Sequence, residues 1–165
     1  AVDRRDPGRA DAVDRRDRGR IVPGTAVAVL QFSRPGQDGP LVHGGPLYVV
    51  EGTSVPALRQ GPGHYVGTAL PGQLGNFAVA GHRTTYGAPF YHLDDLRSGD
   101  EVLVTDRNGR RYTYRVRTQE VVAPGDSWVT GPDPLETGRP TLTLTTCNPR
   151  FSAAQRLIVF AELDS

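Results

Sequence analysis

The sequence has no lysine, no methionine and a single cysteine among its 165 residues. All 19 basic side chains are therefore arginines, which is typical of a GC-rich coding sequence. A lone thiol cannot form an intramolecular disulfide, and it supplies too few ligands for a cysteine-based zinc site. Cys147 is consequently either an inert packing residue or a reactive one, and the residues around it in the sequence indicate which.

Long apolar runs and an excess of either charge are also absent. The longest apolar stretches, such as residues 26–30, are far shorter than the roughly 18 to 20 residues that a membrane helix needs. We therefore expect any membrane anchor to lie outside these 165 residues. The 19 basic and 18 acidic side chains leave a net charge of +1, which gives no electrostatic reason to expect a nucleic-acid partner.

A short repeat fills residues 1–20. AVDRRDPGR at 1–9 is followed by AVDRRDRGR at 12–20, and two copies are too few for a solenoid, which needs about three units. The segment carries charges of both signs and almost no apolar side chains, so burial cannot offset the entropy of ordering it. We predict a disordered, charged tether over residues 1–20 and one folded domain over residues 21–165, a length that a single core can serve.

Turn-forming residues dominate the rest of the chain. Glycine and proline number 20 and 14, which disfavours a helical bundle and favours short strands joined by turns. The Asn108-Gly109 pair is a strong hairpin signal, and the polar stretch 123–139 predicts a functional loop. The pattern favours an antiparallel barrel or sandwich. The predicted strands are 26–32, 47–51, 76–82, 101–106, 110–122, 141–147 and 156–163, with a helical stretch at 54–60.

Cys147 stands at the end of the strand predicted over residues 141–147, TLTLTTC. The alternation of Thr and Leu has the period of a strand with one polar and one apolar face. The following Asn148-Pro149 forces a turn, so the thiol is placed beside a loop, where it is accessible. Arg156 begins the next strand nine residues later and would face Cys147 across a hairpin. A guanidinium there would stabilise a thiolate and could donate to the oxyanion of a substrate carbonyl.

A reactive thiol also needs a proton carrier, and the chain offers four histidines. His82 ends the apolar run 76–82, at a strand end. His43 lies in a Gly- and Pro-rich loop and is expected at the surface. His64 and His92 flank tyrosines and are expected to be packing or supporting residues. The short ligand spacings of a zinc site are lacking.

Together these residues resemble the signature of the sortase family. Thr-Leu-Thr-Thr-Cys at 143–147 is similar to the TLxTC-type motif that carries the sortase nucleophile, with His82 65 residues before the cysteine and Arg156 nine residues after it. The run GHRTTYG at 81–87 resembles the same family. The resemblance spans residues 47–163, and with the composition bias it is most similar to the class E sortases of high-GC Gram-positive bacteria.

The resemblance implies an all-β fold, an eight-stranded sortase-type β-barrel with short helices and long loops. It also implies a cysteine transpeptidase on the extracellular face of the cell membrane, held there by an N-terminal anchor. Such enzymes cleave a C-terminal sorting motif between Thr and Gly, through a thioester, and class E members are associated with LAxTG-like motifs instead of LPxTG. The protein is then transferred to a cell-wall amine of a peptidoglycan precursor. Cys147 would be the nucleophile, His82 the acid and base, and Arg156 the ligand of the substrate carbonyl and transition state.

Three further residues are candidates for contacts with the sorting peptide. Trp128 lies in the loop that covers this peptide in sortases, and a hydrophobic plug is an equal alternative. Tyr86, four residues after His82, could offer its hydroxyl at the groove edge or could fill space. Thr146 could contribute through its backbone or hydroxyl, or could be an ordinary strand threonine.

We expect no cofactor and no metal requirement. Some class A sortases bind calcium through carboxylates near this loop, but here the loop offers only scattered ones, Asp126, Asp133 and Glu136. No carboxylate neighbours His82 in the sequence either. The imidazole is therefore expected to lack the orienting partner of a Ser-His-Asp triad.

Two rival functions remain open from the sequence. A class C or D sortase would polymerise pilins or serve sporulation proteins, but the Asp-Pro-aromatic lid triplet usual in class C is missing from residues 21–46. A non-catalytic β-barrel binding module would instead carry Cys147 as an inert core thiol. Residues 31–46 also depart from the family pattern, because the usual isoleucine-rich second strand is not found in LVHGG at 41–45.

Overall fold

The computed structural model describes residues 25–164. The tether predicted over residues 1–20 lies outside this range. Within it, the chain forms eight strands, one α-helix, α1 (Val55–Gln60), and two 3-10 helices, Leu93–Asp95 and Ser127–Thr130. No helix in this part of the chain is long and apolar enough to cross a membrane. The strands are β1 (Ala26–Ser33), β2 (Leu47–Glu51), β3 (Gly63–His64), β4 (Asn76–Ala80), β5 (Glu101–Asp106), β6 (Arg111–Val122), β7 (Thr141–Asn148) and β8 (Gln155–Leu163).

The eight strands close into a barrel in the order β1-β2-β3-β4-β7-β8-β6-β5. Two neighbouring pairs, β2 with β3 and β4 with β7, run parallel, and the other pairs run antiparallel. The expected all-β, eight-stranded barrel with short helices is thereby confirmed. After the end of β1, residues 34–46 contribute only isolated bridges, so the missing second strand in this segment is a feature of the fold.

Strand β3 has no counterpart among the strands that the pattern predicts. It begins at the last glycine of the Gly-Pro-Gly sequence that follows α1, and it is only two residues long. A Cβ atom on Gly63 would collide with the carbonyl oxygen of Gly52, so glycine is what allows the chain to approach β2 this closely. Two residues are too few to show a strand period, and this is why the sequence does not reveal β3.

Alternate side chains of the central strands fill the barrel interior. Leu144 of β7 lies opposite Val159 of β8, and both are completely buried. Tyr114 of β6 is buried in the same cluster, and its hydroxyl accepts a hydrogen bond from the backbone nitrogen of Gly72 at 2.8 Å. Burial raises the pKa of Tyr114 to about 12. The interior therefore provides a rigid apolar support behind β7 and β8.

A second apolar cluster covers the outside of the barrel at β8. Ile158 and Phe160 of β8 pack there against Val129, which comes from the loop between β6 and β7. On the neighbouring strand β7, the first six residues are all buried and the last two are half-buried.

Candidate active site

Cys147 occupies the point where β7 leaves the buried part of the barrel wall. The six preceding residues of the strand are buried, whereas Cys147 and Asn148 are half-buried. The thiol is free and makes no hydrogen bond within residues 25–164. The fold therefore presents the chain's single sulfur at an opening instead of sealing it inside the core.

Arg156 lies directly opposite Cys147 in the antiparallel pair of β7 and β8, as the nine-residue spacing predicts. Its Nη1 donates to the carbonyls of Ala153 and Gln155 at 2.9 and 3.0 Å, which holds the guanidinium at the turn between the two strands. Its Nε and Nη2 make no hydrogen bond to the described part of the chain. These N–H groups remain available to a carbonyl oxygen placed beside the thiol.

His82 reaches the same place from β4. Strands β4 and β7 run parallel, with Ala80 paired to Thr145. Contact continues beyond the end of β4, because the backbone nitrogen of Gly81 donates to the carbonyl of Thr145 at 3.0 Å. Continuing this register by two residues brings His82 level with Cys147, just beyond the end of β4. A parallel ladder thus brings together two residues that are 65 positions apart in the sequence.

The imidazole of His82 has an aromatic neighbour and no polar one. Its ring centroid lies 5.2 Å from that of Tyr86, and the ring makes no hydrogen bond within residues 25–164. Tyr86 is half exposed, adopts a positive φ of 51°, and has the guanidinium carbon of Arg59 5.4 Å from its ring centroid. The histidine is thus placed by backbone and ring packing, without a carboxylate to orient it.

Thr146 directs its hydroxyl into the wall of the barrel. The side chain is 3% exposed, and Oγ1 donates to the carbonyl of Gly81 at 2.7 Å. Gly81 itself has to be glycine, because a Cβ atom there would lie 2.6 Å from a ring carbon of Phe90. The hydroxyl of Thr146 therefore ties the two strands together in this structure, and a contact with substrate through its backbone stays a prediction.

Trp128 lies on the 3-10 helix Ser127–Thr130, which covers the outer face of β8. Its ring centroid is 5.7 Å from that of Phe160, and 46% of the residue is exposed. Asn76 of β4 fixes this loop to the barrel, because its amide nitrogen donates to the carbonyls of Val129 and Gly131 at 3.0 and 2.8 Å. Trp128 therefore forms a fixed, half-exposed apolar wall beside the strand that carries Arg156.

The other predicted polar residues lie outside this constellation. His64 is buried, and its Nδ1 is 2.6 Å from a carboxylate oxygen of Glu51. His43 and His92 are exposed, in keeping with a surface role for His43. Within residues 25–164 no group of three or more His, Cys, Asp or Glu side chains is arranged to hold a metal ion, the loop carboxylates included.

Three polar residues at the site are not distinguished by any sequence pattern. Asn76 supports the loop that carries Trp128, and the hydroxyl of Tyr65 bonds that of Thr145 at 2.8 Å. Arg83 donates from Nη1 to the carbonyl oxygen of Cys147 at 2.9 Å. For Arg83, the sequence offers one indication of a role at the site, which is that the residue directly follows His82. The acceptors are backbone atoms or residues remote in the chain, which sequence alone does not pair.

The arrangement contains the groups that acyl transfer through a thiol requires. Cys147 is an accessible nucleophile, and Arg156 offers unpaired N–H groups at the place where a substrate oxyanion would form. His82 provides an imidazole just beyond the end of the neighbouring strand β4. Further along β8, the half-exposed ring of Trp128 packs against the buried ring of Phe160.

Comparison with known proteins agrees with this geometry. The family described as "Sortase domain" matches residues 43–164. Sortase SrtE1 of Streptomyces coelicolor is 35% identical over 78% of this chain, but the match covers only 41% of that relative. The chain thus spans less than half the length of this curated relative.

Solved structures are similar over nearly the whole described range. Sortase E from Streptomyces avermitilis superposes with a TM-score of 0.73 at 43% identity, covering 87% of this chain and 91% of that chain. Sortase E1 from Streptomyces coelicolor, solved with a tripeptide in its active site, gives a TM-score of 0.71 at 28% identity in the structural alignment, covering 88% of this chain and 91% of that chain. Both similarities extend over the barrel and its loops.

Proposed function

Since the chain belongs to the sortase family and is similar to its class E members, we propose that it is a cysteine transpeptidase that cleaves a C-terminal sorting motif between Thr and Gly. The observation that carries the proposal is the pairing of Cys147 with Arg156, with His82 following the end of the adjacent strand β4. The motif is LAxTG-like or LPxTG-like. The acceptor is the amine of a peptidoglycan precursor, which places the enzyme on the extracellular face of the membrane.

The first half-reaction forms a thioester. His82 accepts the proton of the Cys147 thiol, and the sulfur attacks the carbonyl carbon of the motif's threonine. Negative charge develops on the carbonyl oxygen, where the unpaired N–H groups of Arg156 donate to it. The bond from carbon to the glycine nitrogen then breaks, and His82 returns its proton to the departing amine. The acyl group stays on sulfur.

The second half-reaction transfers the acyl group to the acceptor. The acceptor amine attacks the thioester carbon, His82 takes a proton from the attacking nitrogen, and Arg156 again stabilises the oxyanion. The carbon–sulfur bond breaks, and the thiolate of Cys147 recovers the proton. No nucleotide is needed, because the thioester retains enough of the energy of the original peptide bond for a new amide to form.

The walls of the groove supply the contacts for the peptide. Trp128 presents apolar surface above the buried ring of Phe160, and a relative of this chain holds a tripeptide in its active site. Tyr86 stands at the edge next to His82, and the backbone of Thr146 adjoins the nucleophile. A peptide lying between them would bring its scissile carbonyl to the sulfur.

The test is acylation of the purified chain. We would incubate it with LAxTG, LPxTG and scrambled peptides, with and without triglycine as the amine, and follow enzyme and peptide by mass spectrometry. We expect an adduct on the protein with a sorting peptide and a new peptide–amine product when triglycine is added. The Cys147→Ala variant should show neither, with an unchanged thermal midpoint.

Arg156→Lys serves as the graded variant in the same experiment. A point charge cannot replace the planar fork, and the loss of an oxyanion donor lowers turnover by roughly 100- to 1,000-fold. An acyl adduct on Cys147→Ala would exclude the proposed nucleophile. Near-complete turnover by Arg156→Lys would show that another donor faces the oxyanion.

A further inference from the structure

Arg83 follows His82 directly and has no part in the half-reactions above. The residue is only 4% exposed. A guanidinium is always charged, and burying it is strongly unfavourable unless its N–H groups are hydrogen-bonded. The hydrogen-bond partners of Arg83 therefore indicate the structural role of this buried side chain.

These partners come from two separate parts of the chain. Nη1 donates to the carbonyl oxygen of Cys147 at 2.9 Å and lies 3.3 Å from Oδ1 of Asn148. Nε donates to the carbonyl oxygen of Tyr91 at 2.9 Å, and Nη2 donates to a carboxylate oxygen of Asp94 at 3.2 Å. One planar fork thus joins the end of β7 to the loop that follows His82.

The bond to Cys147 is the informative one, because β4 has already ended at this level. The ladder between β4 and β7 runs as far as Ala80 and Thr145, and Gly81 adds two more bonds, to the carbonyl of Thr145 and from the hydroxyl of Thr146. Beyond that point, Arg83 makes the next connection to β7. The backbone of His82 is therefore held on both sides: by Gly81 before it and by Arg83 after it.

We propose that Arg83 is a positioning residue that keeps the backbone of Cys147 in register with His82, so that thiol and imidazole can exchange a proton. The inference rests on the proposed transpeptidase function. Its physical basis is geometric: reacting groups must be held within a fraction of an ångström, and a misplacement of about 1 Å can cost about 100-fold in rate. The carbonyl of Cys147 is one bond from the Cα that carries the thiol.

The chain offers a matched control in Arg150. Its Nε donates to the carbonyl of Tyr91 at 3.1 Å, and its Nη2 donates to Asp94 at 2.8 Å, so it shares two acceptors with Arg83. It makes no hydrogen bond to Cys147 within the described residues. Removing Arg150 therefore loosens the same loop while leaving the end of β7 attached.

The experiment compares Arg83→Met, Arg83→Lys and Arg150→Met with the wild type. Thermal midpoints are measured first, and all rates are then taken well below the lowest of them. Single-turnover acylation by an LAxTG peptide gives the rate at saturation and the peptide concentration at half-saturation. Alkylation of Cys147 by iodoacetamide, with His82→Ala as reference, reports on the thiol–imidazole pair without any sorting peptide.

We expect Arg83→Met to lower the saturating acylation rate by about 10- to 100-fold with little change in the half-saturating concentration. Alkylation should fall towards the rate of His82→Ala. Arg83→Lys should recover part of both rates, because its ammonium can still reach one carbonyl but cannot bridge two. Arg150→Met should acylate and alkylate like the wild type.

The proposal is overturned if folded Arg83→Met reacts like the wild type, or if Arg150→Met loses as much rate as Arg83→Met. If Arg83→Met does not fold, Arg83→Lys decides, and wild-type rates in both assays would then exclude the role. A wild-type chain that alkylates in a His82-dependent way but accepts no sorting peptide would contradict the proposed function alone.

Discussion

The inner and outer faces of β7 are buried to the same extent but by different means. The inner face carries Leu142 and Leu144, which pack in the barrel core and make no side-chain hydrogen bonds, and ends at Thr146, whose hydroxyl bonds the carbonyl of Gly81. The outer residues are threonines at least 96% buried, and their hydroxyls bond to groups on other elements, such as Asn76 and Tyr65. Apolar packing is tolerant and non-directional, whereas hydrogen bonds fix distance and angle.

The difference explains where a thiol can be used for chemistry. A nucleophile on the inner face would be sealed among leucines, and its charged form would be disfavoured by burial. Cys147 continues the outer, hydrogen-bonded row and lies at the end of it, where β7 becomes half-buried. The inner face should therefore determine stability, and the outer face should determine the geometry of the site. Three sets of variants test this division.

The largest effect is expected on the inner face, from Leu144→Ala. The side chain is completely buried opposite Val159, so its truncation leaves a cavity in the core. Substitutions of this kind cost about 2 to 5 kcal/mol of unfolding free energy. Chemical denaturation measures the loss, while acylation below the melting transition should stay near the wild-type rate. Leu144→Met is the volume-conserving control, expected to cost less than about 1.5 kcal/mol. A folded Leu144→Ala with full stability and impaired acylation would reverse the assignment of the two faces.

The sequence predicts contacts between residues that are close along the chain, but not contacts between distant segments. The pairing of Cys147 with Arg156 was predictable, because a short turn joins their strands and the Thr/Leu alternation sets the face. The closed barrel was implied by family resemblance, while strand patterns alone left a sandwich open. The parallel pairing of β4 with β7 joins segments 65 residues apart, and no alternation or turn signal encodes it. The bond from Arg83 to Cys147 depends on this pairing, so it became visible only in three dimensions.

An intermediate effect is expected at Asn76, which joins the outer face to the covering loop. Its amide bonds the hydroxyl of Thr143 and the carbonyls of Val129 and Gly131. Asn76→Ala leaves these buried groups without partners, at a cost of about 1 to 3 kcal/mol. Trp128, the only tryptophan in the chain, reports on the loop. We expect its fluorescence to shift to the red and its quenching by acrylamide to increase, with a larger change in the KM of the sorting peptide than in kcat.

Gln119→Ala is the matched control for Asn76→Ala. The amide of Gln119 also bonds two backbone carbonyls, those of Asp94 and Leu96, but it supports a different loop. Its removal should leave the fluorescence of Trp128 and the KM of the peptide unchanged. An equal red shift in both variants would mean that Trp128 senses general loosening, and Asn76 would then have no specific hold on the loop.

The smallest effect is expected from the hydrogen bond between Tyr65 and Thr145, and a double-mutant cycle is suited to it. The two oxygens are 2.8 Å apart, and Thr145 lies two residues before Cys147 on the same face of β7. Tyr65→Phe and Thr145→Val each remove one hydroxyl while keeping the shape of the side chain. Each should cost about 0.5 to 1.5 kcal/mol of unfolding free energy, since the remaining hydroxyl is left unpaired in a buried site.

Together the two changes should cost little more than one of them, which gives a coupling energy of about 0.5 to 1.5 kcal/mol between the hydroxyls. The acylation barrier should rise by a similar amount in each single variant, because the bond fixes β7 next to the nucleophile. In that case the threonines on the outer face hold β7 in place through directed hydrogen bonds, unlike the leucines on the inner face. A coupling energy within the error of additivity, about 0.3 kcal/mol, would show instead that the threonines fill the outer face as the leucines fill the inner one. The position of Cys147 would then depend on Arg83 and the strand ladder alone.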